Sequence, residues 1–409
     1  MIQFFMKSKV LFLALSTMSL ATSCSNDEVT EFSDNQTIKF NVNAGMPTRA
    51  ADIYCNYNKP KAFKLWASYT KGGSTSTFIN NDKITSSDGN TWTNESGTRY
   101  WPEDGTLKFF AHVNADNEFN WNEGAPIIKD FTVPTNVSVQ KDLLYAITEA
   151  TGKTATDKTK DAVAINFRHA LSQIVFQAKN TNKNLYVEIY GVSVMNVADK
   201  GTYTYSTDAT TGNINDHSGS GSYESAGRGN WKKDNAAITG GTQDYSVSFP
   251  KVSMKGGEKD GANDKVYPLT TTADTDGEGI VDPGFEKFNS NAQMLIPQTT
   301  TKWDLTTTTK ESQTYFKIKC NIYNYVEESG SESKVLLWGV EGSGKDAAIP
   351  VQFTWEEGKK YIYTFNFGTG NGGVDPENPE NPVLIPIDFT VTVDDFVNAD
   401  EEVDMDAQL

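Results

Sequence analysis

The segment Tyr315-Phe316-Lys317-Ile318-Lys319-Cys320-Asn321-Ile322 alternates apolar and polar residues, which is the pattern of a β-strand with one buried face. It places Cys320 on the apolar face, where we expect a buried thiol. Helical periodicity is limited to a short turn at 141–150. The chain is therefore predicted to be mostly antiparallel and all-β. Further strand patterns occur at 38–42, 63–69, 108–113, 162–167, 173–178, 185–194, 245–249, 334–338, 351–355, 361–367 and 383–396.

The chain has 409 residues, which exceeds one ordinary β-sandwich, so we predict two tandem sandwich domains. The boundary is placed near Asp161, giving an N-terminal domain at 37–160 and a C-terminal domain at 161–367. Polar stretches at 202–242 and 255–291 are predicted to be long loops. Residues 368–382 have the composition of a Gly/Pro linker, and residues 383–409 that of a strand followed by an acidic tail.

The formal net charge is −17, from 53 acidic and 36 basic residues. This balance excludes nucleic acid as a partner, because counterion release requires a basic face. The three histidines are far apart in the chain and too few for a multi-ligand zinc site. Neither a Ser-His-Asp arrangement nor a Cys-His pair stands out. We therefore predict no catalytic residue, no metal and no cofactor.

Residues 1–23 have the pattern of an export signal, with Lys7 and Lys9 before an apolar core at 10–15 and small residues before Cys24. A cysteine in this position is typical of bacterial lipoproteins, in which the acylated thiol becomes the new N-terminal residue. We predict lipid attachment at Cys24, followed by a polar spacer at 24–36. The alternative is an ordinary secretory signal cleaved elsewhere, because Leu20 lies one position farther from the cysteine than the usual lipobox leucine.

Several loops resemble ligand-binding motifs without completing them. Residues 339–345 have the spacing of a phosphate-binding loop, but Asp346 replaces the required Ser or Thr, and Pro350 would stop the helix, so we predict a turn. Residues 368–373 precede prolines instead of the helix of a dinucleotide site. Acids from Asp274 to Asp282 match the start of a calcium loop, but its twelfth position is Phe285. We predict an acidic surface loop there and keep calcium as the alternative.

The connector Pro47-Thr48-Arg49-Ala50-Ala51-Asp52 places a basic residue in an exposed, proline-containing segment. Such a segment suits a trypsin-like protease. Cleavage after Arg49 would release the preceding chain and, with it, the first strand, whose apolar residues are Ile38, Phe40 and Val42.

The C-terminal strand alternates apolar and polar residues behind the Gly/Pro linker. A strand of this kind can add to an exposed sheet edge and place alternate side chains in a groove. Equally, it can complete the second sandwich of its own chain, and the pattern does not separate the two. Its apolar residues are Ile385, Ile387, Phe389, Val391 and Val393.

Taken in order, these motifs make the sequence resemble the fimbrillin family, the subunits of lipoprotein-derived fimbriae. The resemblance covers nearly the whole chain after Cys24. The segments that carry it are Thr48-Arg49-Ala50, Tyr100-Trp101-Pro102, Leu107-Lys108-Phe109-Phe110-Ala111, Asp142-Leu143-Leu144, Phe167-Arg168-His169-Ala170-Leu171-Ser172, Met294-Leu295-Ile296-Pro297-Gln298 and Phe353-Thr354-Trp355-Glu356-Glu357-Gly358-Lys359-Lys360-Tyr361.

The resemblance implies two transthyretin-like β-sandwich domains, lipid anchoring at the outer membrane and a structural or adhesive role in a fimbria. It also implies cleavage of the Arg49–Ala50 bond, loss of the first strand and polymerisation by strand exchange, with the C-terminal strand as candidate donor. The implied partners are other fimbrial subunits, a trypsin-like processing protease and the outer membrane. The competing hypothesis is a monomeric surface lipoprotein that binds glycans through Trp92, Trp101 or Trp121.

Overall fold

The computed structural model describes residues 37–43, 60–115, 119–122, 125–151, 162–206, 230–233, 242–247, 249–270, 292–305, 310, 313–370, 373–383 and 387–395. Apart from 3₁₀ turns such as Val137–Val139, the described residues contain no helix, and thus none long and apolar enough to cross a membrane. The strands of the first half are β1 (Phe40–Asn43), β2 (Ala62–Lys71), β3 (Ser74–Thr85), β4 (Thr93–Asn94), β5 (Thr106–Val113), β6 (Phe119–Asn122), β7 (Ala125–Thr132), β8 (Leu144–Thr151), β9 (Val163–Asn166) and β10 (Arg168–His169).

The remaining strands extend to the C-terminal segment. They are β11 (Ser172–Asn180), β12 (Leu185–Ala198), β13 (Lys200–Thr204), β14 (Asn230–Lys233), β15 (Thr242–Val247), β16 (Val252–Lys255), β17 (Lys259–Asp260), β18 (Asn263–Asp264), β19 (Tyr267–Pro268), β20 (Gln293–Leu295), β21 (Tyr315–Glu328), β22 (Ser331–Trp338), β23 (Lys345–Pro350), β24 (Lys359–Phe367), β25 (Val374–Asp375), β26 (Asn378–Pro382) and β27 (Ile387–Asp395). Among the described strand pairs, only β1–β9 and β11–β24 are parallel, which confirms a mostly antiparallel all-β protein.

The helical turn predicted at 141–150 is wrong, because β8 occupies this segment between β10 and β5. Leu144 and Ala146 pack into one hydrophobic core, while Tyr145 and Ile147 pack into another. Both faces of β8 are therefore buried, so its sequence lacks the apolar–polar alternation that marks a half-exposed strand. The strand predicted at 351–355 is also not formed, apart from an isolated bridge between Thr354 and Thr299.

The N-terminal core lies between two sheets. One is six-stranded, in the order β10-β8-β5-β2-β3-β4, and the other consists of β1 and β9. Phe63 and Phe109 from the large sheet share a hydrophobic cluster with Phe40 and Val42 from β1 and with Ile165 from β9. The two-stranded sheet therefore covers one face of the six-stranded sheet.

The C-terminal core lies between a larger and a smaller sheet. The larger sheet runs β15-β12-β21-β23-β25-β26, with β16 and β22 attached, and the smaller runs β19-β11-β24-β27, with β20 attached. The Phe316 ring from β21 packs edge-on against Phe176 of β11 and Phe365 of β24, with centroid distances of 5.6 and 5.3 Å. Cys320 is fully buried, as its alternating segment predicts.

A four-stranded sheet of order β14-β13-β7-β6 joins strands from the two halves of the chain. In its central pair, Tyr203 of β13 is in register with Ile128 of β7. Strands β9 and β10, which follow Asp161, pair with β1 and β8 from before it. The proposed domain boundary at this residue is thus crossed by strand pairing.

The segment predicted to be a Gly/Pro linker, 368–382, contains β25 and β26. These strands pair with each other, and β25 also pairs with β23. Val374 and Asp375 are buried, and the Asp375 carboxylate lies 2.7 Å from Nζ of Lys345. This part of the segment is therefore held against the larger sheet.

Candidate functional site

The first strand is held in the N-terminal core by alternate side chains. Ile38, Phe40 and Val42 are buried, and Val42 has no exposed surface. The Phe40 ring packs edge-on against Phe63 and Phe109, at centroid distances of 6.3 and 6.2 Å. Burial of these three apolar side chains stabilises the docked strand, relative to the released strand, by roughly 5–9 kcal/mol.

The backbone of this segment is bonded on both sides. On one side β1 runs parallel to β9, with Phe40 opposite Val163, and the Val163 N–H donates to the Lys39 carbonyl at 2.7 Å. On the other side, the Ile38 N–H donates to the Arg99 carbonyl at 2.8 Å. The segment therefore sits as a short insert between β9 and the loop around residue 99.

That loop is itself fixed by a buried carboxylate. Arg99 Nε and Nη2 both lie 2.8 Å from Oδ2 of Asp82, and Asn94 Nδ2 donates to the same oxygen at 2.7 Å. Asp82 is only 4% exposed, so the charge is shielded from water by its partners. The sequence reasoning missed this anchor, because two charged residues 17 positions apart in β-rich sequence give no signal.

The C-terminal strand lies in the smaller sheet of its own chain. Its nine residues pair antiparallel with β24, from Ile387 opposite Phe367 to Asp395 opposite Lys359. It is the edge strand of this sheet, because no described strand pairs with its other side. Of the predicted donor residues, Ile385 falls outside the described part of the chain.

The apolar residues of β27 are progressively less buried along the strand. Ile387 is 2% exposed and Phe389 is half-buried, with its ring 5.6 Å from that of Phe316. Val391 and Val393 are 45% and 51% exposed, although they share the inward face of the strand. The far end of this edge strand therefore leaves two apolar side chains in contact with water.

Other predicted site residues fall outside the described chain. They are Cys24 with its signal peptide, the Arg49–Ala50 bond and the acidic loop from Asp274 to Asp282. Within the described ranges, no three His, Cys, Asp or Glu residues are placed so that they could hold a metal ion.

Two of the three tryptophans considered for glycan stacking belong to the N-terminal core. Trp101 is 8% exposed and packs against Phe109 at 6.3 Å, and Trp92 lies 5.2 Å from Phe63. Trp101 is therefore a core residue, and Trp92 is partly buried against the same core. Trp121 lies in β6, where it is in register with Pro126 of β7.

A polar network on the larger sheet was also missed by sequence reasoning. The Glu188 carboxylate accepts hydrogen bonds from the hydroxyls of Tyr190 and Tyr323 and from Nζ of Lys251. Burial raises the pKa of Glu188, but these donors outweigh it and hold the pKa below its ordinary value. Asn321, on the polar side of the alternating segment, is nevertheless buried, and its amide donates to both tyrosine hydroxyls.

The turn at 339–345, which has phosphate-loop spacing, joins β22 to β23 and packs on this network. The Val340 N–H donates to Oδ1 of Asn321 at 2.9 Å. Gly339 has φ of +116°, and a Cβ at this position would lie 2.0 Å from the same oxygen. The glycine is therefore needed for the close approach of the turn to the sheet.

With the geometry described, comparison with known proteins gives the class of the chain. Its fold is an all-β assembly of stacked sheets whose terminal strands lie at sheet edges. Residues 48–392 match the model of the fimbrillin-like family, and the chain belongs to this family. Membership of this family agrees with the prediction of a non-enzymatic protein.

Several solved structures are similar at low identity. A cell adhesion protein from Parabacteroides distasonis shares 10% identity over 88% of this chain and 100% of its own, with a TM-score of 0.41. One from Bacteroides uniformis shares 13% over 88% and 98%, with a TM-score of 0.36. The tip fimbrial protein Mfa3 from Porphyromonas gingivalis shares 10% over 88% and 99%, with a TM-score of 0.35. No curated protein matches the chain.

Proposed function

We propose that the protein is a subunit of a cell-surface fimbria, built on two tandem transthyretin-like sandwiches. It is exported as a lipoprotein through Cys24, anchored in the outer membrane, processed after Arg49 and polymerised with other subunits by strand exchange. The supporting observation is the first strand, whose Ile38, Phe40 and Val42 fill the N-terminal core while its ladder with β9 spans only the four residues of β1.

Release of this strand would open a specific binding surface. Phe63 and Phe109 would lose the ring of Phe40, and β9 would expose one edge of its backbone. Unpaired strand edges and uncovered apolar side chains are both costly in water. A strand with alternate apolar residues would pair with the free edge of β9 and cover the exposed apolar side chains at the same time. A donor strand from another subunit would therefore enter the vacated position.

The processing step is tested by limited trypsin treatment of the purified chain, followed by intact mass and a native gel over several hours. We expect cleavage after Arg49 and then a growing ladder of SDS-resistant multimers. Arg49→Ala should abolish both, while the matched variant Arg228→Ala, which removes a different arginine, should retain both. Normal multimers from Arg49→Ala would refute the processing step.

The donor step is tested by placing a charge on either face of β27. In the monomer, Val391 and Thr392 are both exposed, so neither Val391→Asp nor Thr392→Asp should change the melting temperature much. A donated strand would bury the face of Val391 in the next subunit and leave Thr392 in solvent. We therefore expect Val391→Asp to block multimers and Thr392→Asp to permit them. Multimers from both variants would assign β27 permanently to its own sandwich.

A further inference from the structure

A shallow cleft of about 250 Å³ lies on the larger C-terminal sheet. It is separate from the two strands of the assembly proposal, since β1 belongs to the N-terminal core and β27 to the smaller sheet. The cleft spans β15, β12, β21 and β23. Its polar lining consists of Ser193, Ser246, Lys317, Lys319 and Asp346, and its floor includes Gly191.

The cleft is open because a glycine stands in the middle of a strand. Gly191 is opposite Lys319 at a β-bulge in β12, where the register shifts between Ile189 and Gly191. A Cβ at Gly191 would meet no atom within 4 Å, and its backbone lies outside the left-handed region. Neither packing nor conformation therefore requires glycine here, although glycine weakens a strand interior. A glycine inside a strand marks either a bulge, which is present here, or a site that a ligand or another backbone approaches closely.

The side chains around the glycine carry complementary groups in a small area. Lys319 is exposed and forms no ion pair with any residue in the described ranges. Lys317 Nζ lies 3.9 Å from Oδ2 of Asp346, and Oγ of Ser193 lies 2.8 Å from Oγ of Ser246. The cleft thus presents two ammonium groups, one carboxylate and a pair of hydroxyls.

We propose that this cleft binds a uronic acid unit of an acidic glycan. The sugar carboxylate pairs with Lys319 and Lys317, and the sugar hydroxyls donate to Asp346 and exchange hydrogen bonds with Ser193 and Ser246. A bare phosphate fits less well, because its charge cannot be kept away from Asp346, whereas a uronic acid can place its carboxylate at the lysines and its neutral hydroxyls at Asp346.

An aromatic ring borders the same place. A Cβ at Gly344 would lie 2.7 Å from the Tyr190 ring and 3.2 Å from Cγ of Lys319, so the ring and the lysine stem flank one turn. Tyr190 is half-buried, and Nζ of Lys251 lies 6.0 Å from its ring centroid, so the ring borders the cleft without lining it. The choice of a glycan as the molecule that bears the carboxylate rests on the proposed function at the cell surface; the rest of the inference does not.

The test is isothermal titration calorimetry of the purified full-length chain with trigalacturonate, with maltotriose as the neutral probe and inorganic phosphate as competitor. We expect saturable trigalacturonate binding that weakens as salt is raised. Lys319→Gln should reduce the affinity at least tenfold, and Gly191→Val, which fills the cleft, should abolish binding. Lys71→Gln removes an exposed lysine from the N-terminal sheet and should leave binding unchanged.

Unchanged binding in Lys319→Gln, or equal affinity for maltotriose, would overturn the proposal. Full competition by phosphate at equal concentration would show a general anion site and would also overturn it. Thermal melting followed by circular dichroism checks that Gly191→Val is folded. If that variant does not fold, the binding measurement on Lys319→Gln decides the test. The same variants should still be cleaved by trypsin and form multimers, so a failure of binding is distinguishable from a failure of assembly.

Discussion

Phe40→Ala tests whether the first strand belongs to the N-terminal core. The side chain of Phe40 is 7% exposed, and its ring packs edge-on against the rings of Phe63 and Phe109. These partners sit in β2 and β5, at the centre of a six-stranded sheet, so the cavity left by the ring cannot readily close. We expect the free energy of unfolding to fall by about 3–5 kcal/mol, the usual range for a buried Phe→Ala change.

Urea unfolding followed by tryptophan fluorescence measures this loss, because Trp101 and Trp92 pack in the same cluster as Phe40. Val393→Ala is the matched control, since Val393 is also apolar and in a strand but is 51% exposed. Its effect should stay within about 0.5 kcal/mol. A loss below about 1 kcal/mol for Phe40→Ala, or equal losses for the two variants, would refute the packing argument.

Three further predictions concern pH, thiol chemistry and the anchor beside the first strand. Burial, with a smaller contribution from Lys64, lowers the pKa of His112 from 6.5 to about 3. The unfolded chain therefore binds the extra proton between these values, and stability falls by about 2 kcal/mol from pH 6.5 to pH 5. His112→Gln should remove this part of the acid destabilisation in urea titrations at the two pH values. Burial raises the pKa of Cys320 to about 12, so iodoacetamide should label it only in unfolded protein, as peptide mass analysis would show. Asp82→Ala leaves Arg99 without its carboxylate and should lower the free energy of unfolding by about 1–3 kcal/mol in the same assay, whereas Asp260→Ala, at an exposed position of β17, should change it very little.

The sequence was sufficient for strands with one face in water. In β21, Phe316, Ile318 and Ile322 point inward while Lys317 and Lys319 point outward, and the period of two is visible directly. It was also sufficient for the first strand, where three alternate apolar residues occupy the core. Local alternation is a reliable guide wherever burial alternates in the same way.

It was insufficient where burial depends on distant partners. β8 is covered on both faces, and its residues showed a false helical pattern. Asn321 is polar by type but buried, because Glu188, Tyr190 and Tyr323 form one hydrogen-bond network from residues more than 130 positions apart. The cleft at Gly191 has the same origin, since four strands bring its lysines, serines and carboxylate together.

The sheet that joins the two halves has a mechanical consequence. Strand β7 comes from the first half of the chain and β13 from the second. Their antiparallel ladder runs from Gly201 opposite Phe131 to Thr204 opposite Ile127. A pulling force that separates the two halves must therefore break the hydrogen bonds of this β-ladder. In the filament proposed above, under the drag of flowing liquid, this ladder would carry tension from one half of each subunit to the other.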